Sequence, residues 1–262
     1  MEKFLDCIVI TGAGKGLGKA IALELKNIGI PLLLISQSNN VVQTVKEINQ
    51  SIGQTEFMIQ DVSDLDQTYS RIRDWSDQSS FNRFGVVLCA GILGEPGGII
   101  NGELSDWLQT YKVNVLGNLA VLKALMPRML KASFGRIVAV AGGGAAYGYP
   151  LFSGYALSKT SLVREVENIH LELKDKGDFF ITALAPGAME TDMLQQIRAT
   201  GAEIRTVVDI KEPVNFVSSF LFSTHCAFSG RFVHVRDNWK EKLESSADMS
   251  STDNWFLRRI EK

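Results

Sequence analysis

The feature that most narrows the fold is a rhythm that runs the length of the chain. Short apolar runs, Leu5–Ile10, Leu32–Ile35, Glu56–Gln60, Val86–Ala90, Arg136–Ala141, Phe179–Leu184 and Arg231–Val235, read as strands. Longer stretches of helical period lie between them. Leu17, Ile21 and Leu25 mark a helix that ends near Ile28. Asn39 or Asn40 caps the next, with Val41, Val42, Val45 and Ile48 on its inner face. Further helices are expected over 64–79, 106–130, 154–176 and 212–222, with Pro127 bending or breaking the longest near its end. Strands with little polar alternation are buried on both faces, and strands separated by helices pair in parallel through crossovers. The pattern predicts an α/β domain: a doubly wound, mainly parallel sheet of about seven strands in the order 3-2-1-4-5-6-7, with helices on both faces. One such domain is ordinary for 262 residues. It is expected over residues 1–237. The polar tail 238–262, with Trp239, Trp255 and Phe256 as isolated anchors, is expected to dock on the body or on a neighbouring subunit.

Straight after the first strand comes Thr11-Gly12-Ala13-Gly14-Lys15-Gly16-Leu17-Gly18. A strand entering a sharp glycine turn, followed at once by a helix, is a place where backbone approaches a diphosphate and a helix N-terminus faces the anion. The spacing is Gly12-x-x-x-Gly16-x-Gly18, distinct from GxGxxG. Farther on, Tyr155 and Lys159 stand four apart at the start of a helix and so share one face. Tyrosine is a poor acid at neutral pH, and a nearby ammonium is expected to lower its pKa so that it can relay a proton to or from a carbonyl oxygen.

Composition excludes several alternatives. Lys plus Arg number 27 against 29 Asp plus Glu, a net charge of -2, which excludes a generally basic nucleic-acid binder. Cys7, Cys89 and Cys226 have no CxxC spacing, and His170, His225 and His234 are scattered, so neither a disulfide framework nor a metal site is expected. The acidic start and the lack of an apolar run near ~20 residues predict a cytoplasmic protein without a membrane span.

These markers together resemble the short-chain dehydrogenase/reductase family, over Leu5 to about Val235. Thr11-Gly12-x-x-x-Gly16-x-Gly18 is similar to its nucleotide-binding pattern and Tyr155-Ala156-Leu157-Ser158-Lys159 to its Tyr-x-x-x-Lys pattern. Asn114, in Val113-Asn114-Val115, falls at its active-site asparagine, and Asp61-Val62 at the acidic position that contacts adenine. Pro186-Gly187 followed by Thr191 resembles the loop that closes over the nicotinamide. The resemblance implies a single-domain Rossmann fold and an NAD(P)(H)-dependent oxidoreductase that interconverts a ketone and a secondary alcohol. Tyr155 would be the acid/base. Lys159 would bind the nicotinamide ribose, and Asn114 would hold a water in the proton path. Thr11, Gly12, Gly14, Lys15, Gly16, Leu17, Gly18, Ser36, Asp61, Val62, Ala90, Gly91, Tyr155, Lys159, Pro186, Gly187 and Thr191 would hold the cofactor. It also implies a homo-oligomer, tetramer or dimer, paired through the helices at 106–130 and 154–176. Val113, Leu116, Leu119 and Leu122 on the first, and Leu157, Leu162, Val163 and Val166 on the second, would supply the apolar faces.

One departure stands out. The family's serine, 13 residues before the tyrosine, is here Gly142, in Ala141-Gly142-Gly143-Gly144. Three readings stay open: backbone amides of the glycine turn donate instead, a substrate hydroxyl or Ser153 fills the gap, or the protein only binds nucleotide. For the cofactor, the end of the second strand carries Ser36-Gln37-Ser38, with no carboxylate to repel a 2′-phosphate, and Lys15 is placed to pair with one, so NADP is favoured over NAD. A partly polar substrate segment is expected between Gly187 and Lys211, with Met189, Met193, Leu194 and Ile197. A faint resemblance to a subgroup associated with bacterial surface-polysaccharide gene clusters implies a sugar or nucleotide-sugar substrate. The alternatives are a 3-oxoacyl (fatty-acyl) ketoreductase and a catalytically silent nucleotide-binding or regulatory protein.

Overall fold

A computed structural model describes residues 4–48, 54–204, 206–225, 227–244 and 256–257. Seven strands form one sheet: β1 (Cys7–Thr11), β2 (Leu32–Ser36), β3 (Thr55–Ile59), β4 (Phe84–Leu88), β5 (Phe134–Val140), β6 (Asp178–Ala185) and β7 (Arg231–His234). Their order is β3-β2-β1-β4-β5-β6-β7, and every neighbouring pair is parallel. The expected topology is therefore the observed one.

Side chains alternate across each strand and feed two cores, one on each face of the sheet. From β1, Ile8 and Ile10 enter one core while Cys7 and Val9 enter the other. The first core takes the inner faces of α1 (Gly16–Leu25), α2 (Asn40–Ile48) and α9 (Lys211–Leu221). The second takes α3 (Leu65–Gln78) and two long helices. The first of these begins after the short α4 (Gly98–Asn101) and runs unbroken over Leu104–Ala132. It comprises α5 (Leu104–Tyr111), a π-helical stretch at Lys112–Gly117, and α6 (Asn118–Ala132). The second is α7 (Ser153–Leu173). Pro127 lies inside α6, which continues past it to Ala132, so the helix is not broken there. Leu125 and Met129 are fully buried on either side of it, and their packing holds the helix through the lost backbone hydrogen bond. The Leu104–Ala132 helix has the length and hydropathy of a membrane span, but half of its most apolar window is buried in the domain.

The apolar faces of these helices divide differently from expectation. Leu122, Leu162, Val163 and Val166 are core residues, whereas Leu104, Leu108, Leu157 and Leu171 are exposed. In the tail, α10 (Trp239–Glu244) sets Trp239 edge-on to Phe216 at 5.2 Å, with its Nε1 donating to Val235 O at 3.1 Å. The Leu257 N–H donates to Glu167 at 2.8 Å, and its carbonyl accepts from Arg164 at 2.8 Å. Trp255 and Cys226 lie outside the described residues.

Candidate active site

Strand carboxyl ends open a crevice where the sheet's winding reverses, between β1 and β4. The glycine turn leaves β1 there and delivers the backbone to α1. Gly12 has φ +69° and Gly16 φ +55°, the left-handed region in which glycine is at ease. A side-chain carbon at Gly12 would lie 2.9 Å from Ala90 Cα, one at Gly14 2.5 Å from Ser36 Oγ, and one at Gly18 would overlap Gly12 O. The turn is thus drawn tight against the loop after β4 and the end of β2, leaving a backbone-lined cradle at the start of α1. Leu17 is buried and anchors that first helical turn in the core.

At the carboxyl ends of β2 and β3, Ser36 closes β2, and Asp61 and Val62 follow β3. The Asp61 carboxylate accepts from Ser63 N–H and Oγ–H at 2.9 and 2.8 Å and from Gln37 Nε2 at 3.0 Å. Lys15 reaches away from this end: its Nζ pairs with Asp192 at 2.8 Å, both side chains well exposed. Asp192 opens α8 (Asp192–Ala199), and Thr191 Cγ2 would be 3.7 Å from a side-chain carbon at Gly16. The segment after Pro186-Gly187 therefore lies across the phosphate turn. Its base is tied by Val208 N–H to Ala188 O at 2.7 Å. Leu194 plugs α8 into the body, whereas Met189, Met193 and Ile197 stay partly exposed.

The third group of residues meets where β4, β5, α7 and the π-helical stretch come together. Asn114 is fully buried in that stretch, a departure from regular helix that often marks function. Its Oδ1 accepts Ile92 N–H at 2.8 Å, and its Nδ2 donates to Ile92 O at 3.0 Å and to Ser158 Oγ at 2.9 Å. Ser158 in turn donates to Tyr155 O at 2.7 Å. Lys159, 3% exposed, donates to Val140 O at 2.8 Å, and its Nζ would be 3.5 Å from a side-chain carbon at Gly91. A side-chain carbon at Gly142 would lie 2.9 Å from Tyr155 Oη. Asn114, Tyr155, Lys159, Gly91 and Gly142 are brought together, the Tyr155–Lys159 pair as its spacing implied and the others as the resemblance implied. Ser153 is not among them. Its Oγ faces Gly98, because residues two apart on a helix point to different sides.

The electrostatics differ from the expectation that Lys159 lowers the Tyr155 pKa. Burial of the hydroxyl, with Tyr149, Cys89 and Tyr147 adding to it, pushes Tyr155 well above the usual tyrosine range. Burial also brings Lys159 down to about 8. Its ammonium is committed to Val140 O and stands 5.6 Å from the Tyr155 ring centre. Cys89, partly buried near it, is pushed up to about 11 by desolvation.

Asn118 is the residue the sequence reading missed. Fully buried, it accepts the Thr11 hydroxyl at 2.6 Å and donates to Ala90 O at 2.8 Å and Asn114 O at 3.0 Å. Thr11 Oγ1 in turn accepts the N–H groups of Cys89 and Ala90, each at 2.9 Å. One amide thus joins the phosphate turn, the loop after β4 and the backbone of Asn114. The available signal was its place four residues after Asn114, on the same helical face. Tyr147 and Tyr149, which flank the site beyond the glycine turn, were likewise unread.

Comparison with known proteins agrees with this geometry. The family model for short chain dehydrogenases matches residues 6–202. A 3-oxoacyl-[acyl-carrier-protein] reductase from Synechocystis sp. is 27% identical over 193 residues, 73% of this chain and 77% of that protein. Among solved structures, carveol dehydrogenase from Mycobacterium avium in complex with NAD superimposes with TM-score 0.77 at 19% identity, covering 88% of this chain and 95% of that one. ElxO with NADP bound does so with TM-score 0.76 at 22% identity, covering 88% and 97%. With the sheet order, the glycine cradle and the Asn114–Tyr155–Lys159 cluster in place, the match over 6–202 shows that the chain belongs to the short-chain dehydrogenase family of oxidoreductases.

Proposed function

We propose that this NAD(P)-dependent oxidoreductase interconverts a ketone and a secondary alcohol, with Tyr155 as the proton donor and acceptor. One observation carries the reading: Tyr155 Oη has no hydrogen-bond partner among the described residues and sits against Gly142, beside Lys159 and the Asn114–Ser158 pair. The turn from Gly12 to Gly18 suits a dinucleotide diphosphate, since side-chain carbons at Gly12, Gly14 and Gly18 would collide with Ala90, Ser36 and Gly12 O, and the tight turn brings bare backbone to the start of α1. Thr11, Lys15 and Leu17 complete that turn. Ser36, Asp61 and Val62 would hold the adenosine half. Ala90, Gly91, Pro186, Gly187 and Thr191 would hold the nicotinamide half. When bound, the cofactor supplies or accepts the hydride. Tyr155 moves the matching proton at the substrate oxygen. Its raised pKa keeps the phenol protonated, as suits a donor in the reductive direction. Lys159 and Asn114 orient the ribose and the proton path.

Finer points belong to the same proposal. NADP is preferred, because Ser36-Gln37-Ser38 carries no carboxylate and Lys15 needs only to leave an exposed partner to meet a 2′-phosphate. Exposed Leu104, Leu108, Leu157 and Leu171 support a homodimer or homotetramer joined through these long helices. Residues 1–237 form the catalytic domain, and the tail contacts at Trp239 and Leu257 support docking on the body. The test is oxidation of NADPH and NADH with keto-sugars, cyclic ketones and 3-oxoacyl thioesters, wild type against Tyr155→Phe. Turnover should be lost in the variant by a factor of about 100 or more while cofactor binding is kept. Equal background rates in both proteins, with the cofactor bound, would leave a nucleotide-binding protein and overturn the enzyme.

A further inference from the structure

The turn after β5 offers the substrate no side chain of its own. Two adjacent glycines, 142 and 143, each stand against a phenol oxygen. A side-chain carbon at Gly142 would be 2.9 Å from Tyr155 Oη, and one at Gly143 would overlap Tyr147 Oη. The cause is local. The 3-10 turn Gly143–Ala145 sends the N–H groups of Ala146 and Tyr147 back to Gly143 O, at 2.9 and 3.3 Å. The chain folds back on itself, and the Tyr147 ring returns over the start of its own turn. Glycine at 143 leaves room for that return. Tyr149 does not compete for the place: its ring is packed on Phe152 at 5.5 Å and on Tyr155 at 6.3 Å, forming a wall. Ser153 Oγ faces Gly98. Tyr147 is 57% exposed, and its phenol is near enough to Tyr155 to add to the rise of the Tyr155 pKa.

We propose that Tyr147 Oη donates a hydrogen bond to the substrate oxygen and so takes the place of the hydroxyl missing at Gly142. The inference rests on the reading of Tyr155 as proton donor. Tyr155 transfers its proton to the substrate oxygen as the carbon receives hydride from the reduced cofactor. Tyr147 keeps its own proton throughout and stabilises the charge that develops on that oxygen. The Tyr147 phenol adds an aromatic face at this turn, which suits cyclic or otherwise bulky ketones.

The test compares Tyr147→Phe, Gly143→Ala and the double variant with wild type, using cyclic ketones, 3-oxoacyl thioesters and keto-sugars as substrates and cofactor fluorescence for binding. Tyr147→Phe should lower kcat by about 100-fold, the usual cost of one such donor, with cofactor affinity unchanged. Gly143→Ala, whose methyl displaces the phenol oxygen, should lose a similar factor, and the double variant should lose little more, since both remove one interaction. A Tyr147→Phe enzyme with kcat within about two-fold of wild type overturns the proposal. So does a double variant whose losses multiply. Wild type inactive on the whole panel would instead overturn the enzymatic reading on which this one depends.

Discussion

Replacing Asn118 with alanine tests how far one buried amide carries the site. The change removes the acceptor of the Thr11 hydroxyl and the donor to Ala90 O, Asn114 O and, at 3.3 Å, Val113 O. Thr11 keeps only a marginal alternative, Val87 O at 3.5 Å. At least the Thr11 hydroxyl and Ala90 O are then left buried without a good partner. At about 1–3 kcal/mol for each orphaned group, the expected loss is about 2–6 kcal/mol, a large share of an ordinary domain's stability. Urea unfolding followed by far-ultraviolet circular dichroism measures it. Cofactor titration should show weaker binding as well, because Thr11 also holds the N–H groups of Cys89 and Ala90. Asn118→Asp is the near-isosteric control. It keeps an acceptor for Thr11 but turns a second acceptor towards Ala90 O and Asn114 O, so its carboxyl is held protonated. An acid whose folded pKa is raised binds more protons folded than unfolded, so stability must fall as pH rises above about 4, the unfolded value. A loss below about 1 kcal/mol for Asn118→Ala, or an Asp variant indifferent to pH between 4 and 7, would refute the argument.

Two further outcomes follow from the same site. Gly142 has φ 170°, extended backbone open to any residue, so the obstacle to a side chain there is Tyr155 Oη at 2.9 Å. Gly142→Ala should displace that hydroxyl and cut kcat by about 10-fold, and Gly142→Ser should lose less because its Oγ can bond Tyr155; an alanine variant as fast as wild type would count against the contact. Lys159, a base whose pKa falls to about 8 on burial, is protonated in the unfolded chain up to about 10.4, so its contribution to stability rises with pH across that window. Relative to Lys159→Met, cofactor-free wild type should gain on the order of 2 kcal/mol between pH 8 and 10 in urea unfolding, and a constant difference would contradict the burial argument.

The reach of sequence reasoning differs between the fold and the site. Strand order and the placing of the helices were legible because burial on both sides of a parallel sheet writes near-continuous apolar runs, and crossovers write the helices between them. At Pro127 the sequence left a bend or a break open, and the folded chain keeps the helix through it with Leu125 and Met129 buried on either side. Exposed Leu157 and buried Leu162 look alike in one dimension, and only the packed helices separate them.

At the site, the chain's own pattern determined which residues would gather. The turn from Gly12 to Gly18 and the Tyr155–Lys159 pair on one helical face follow from spacing, since helix and strand periods place neighbours directly, whereas Asn114 joins them only through the family resemblance. What the pattern could not determine is the set of contacts made across elements. Asn118 joins β1, the loop after β4 and the π-helical stretch. Lys15 crosses to Asp192, far along the chain. Ser153 turns to Gly98 while Tyr147 folds back over Gly143. Most telling is the relation of Tyr155 to Lys159. Their spacing predicts a lowered tyrosine pKa, yet the folded chain commits the ammonium to Val140 O and buries both groups, so desolvation moves Tyr155 up and Lys159 down. Periodicity fixes which face a side chain shares. Dielectric environment and hydrogen-bond partners come from surfaces that meet only when helices close on the sheet, and there the tertiary structure decides.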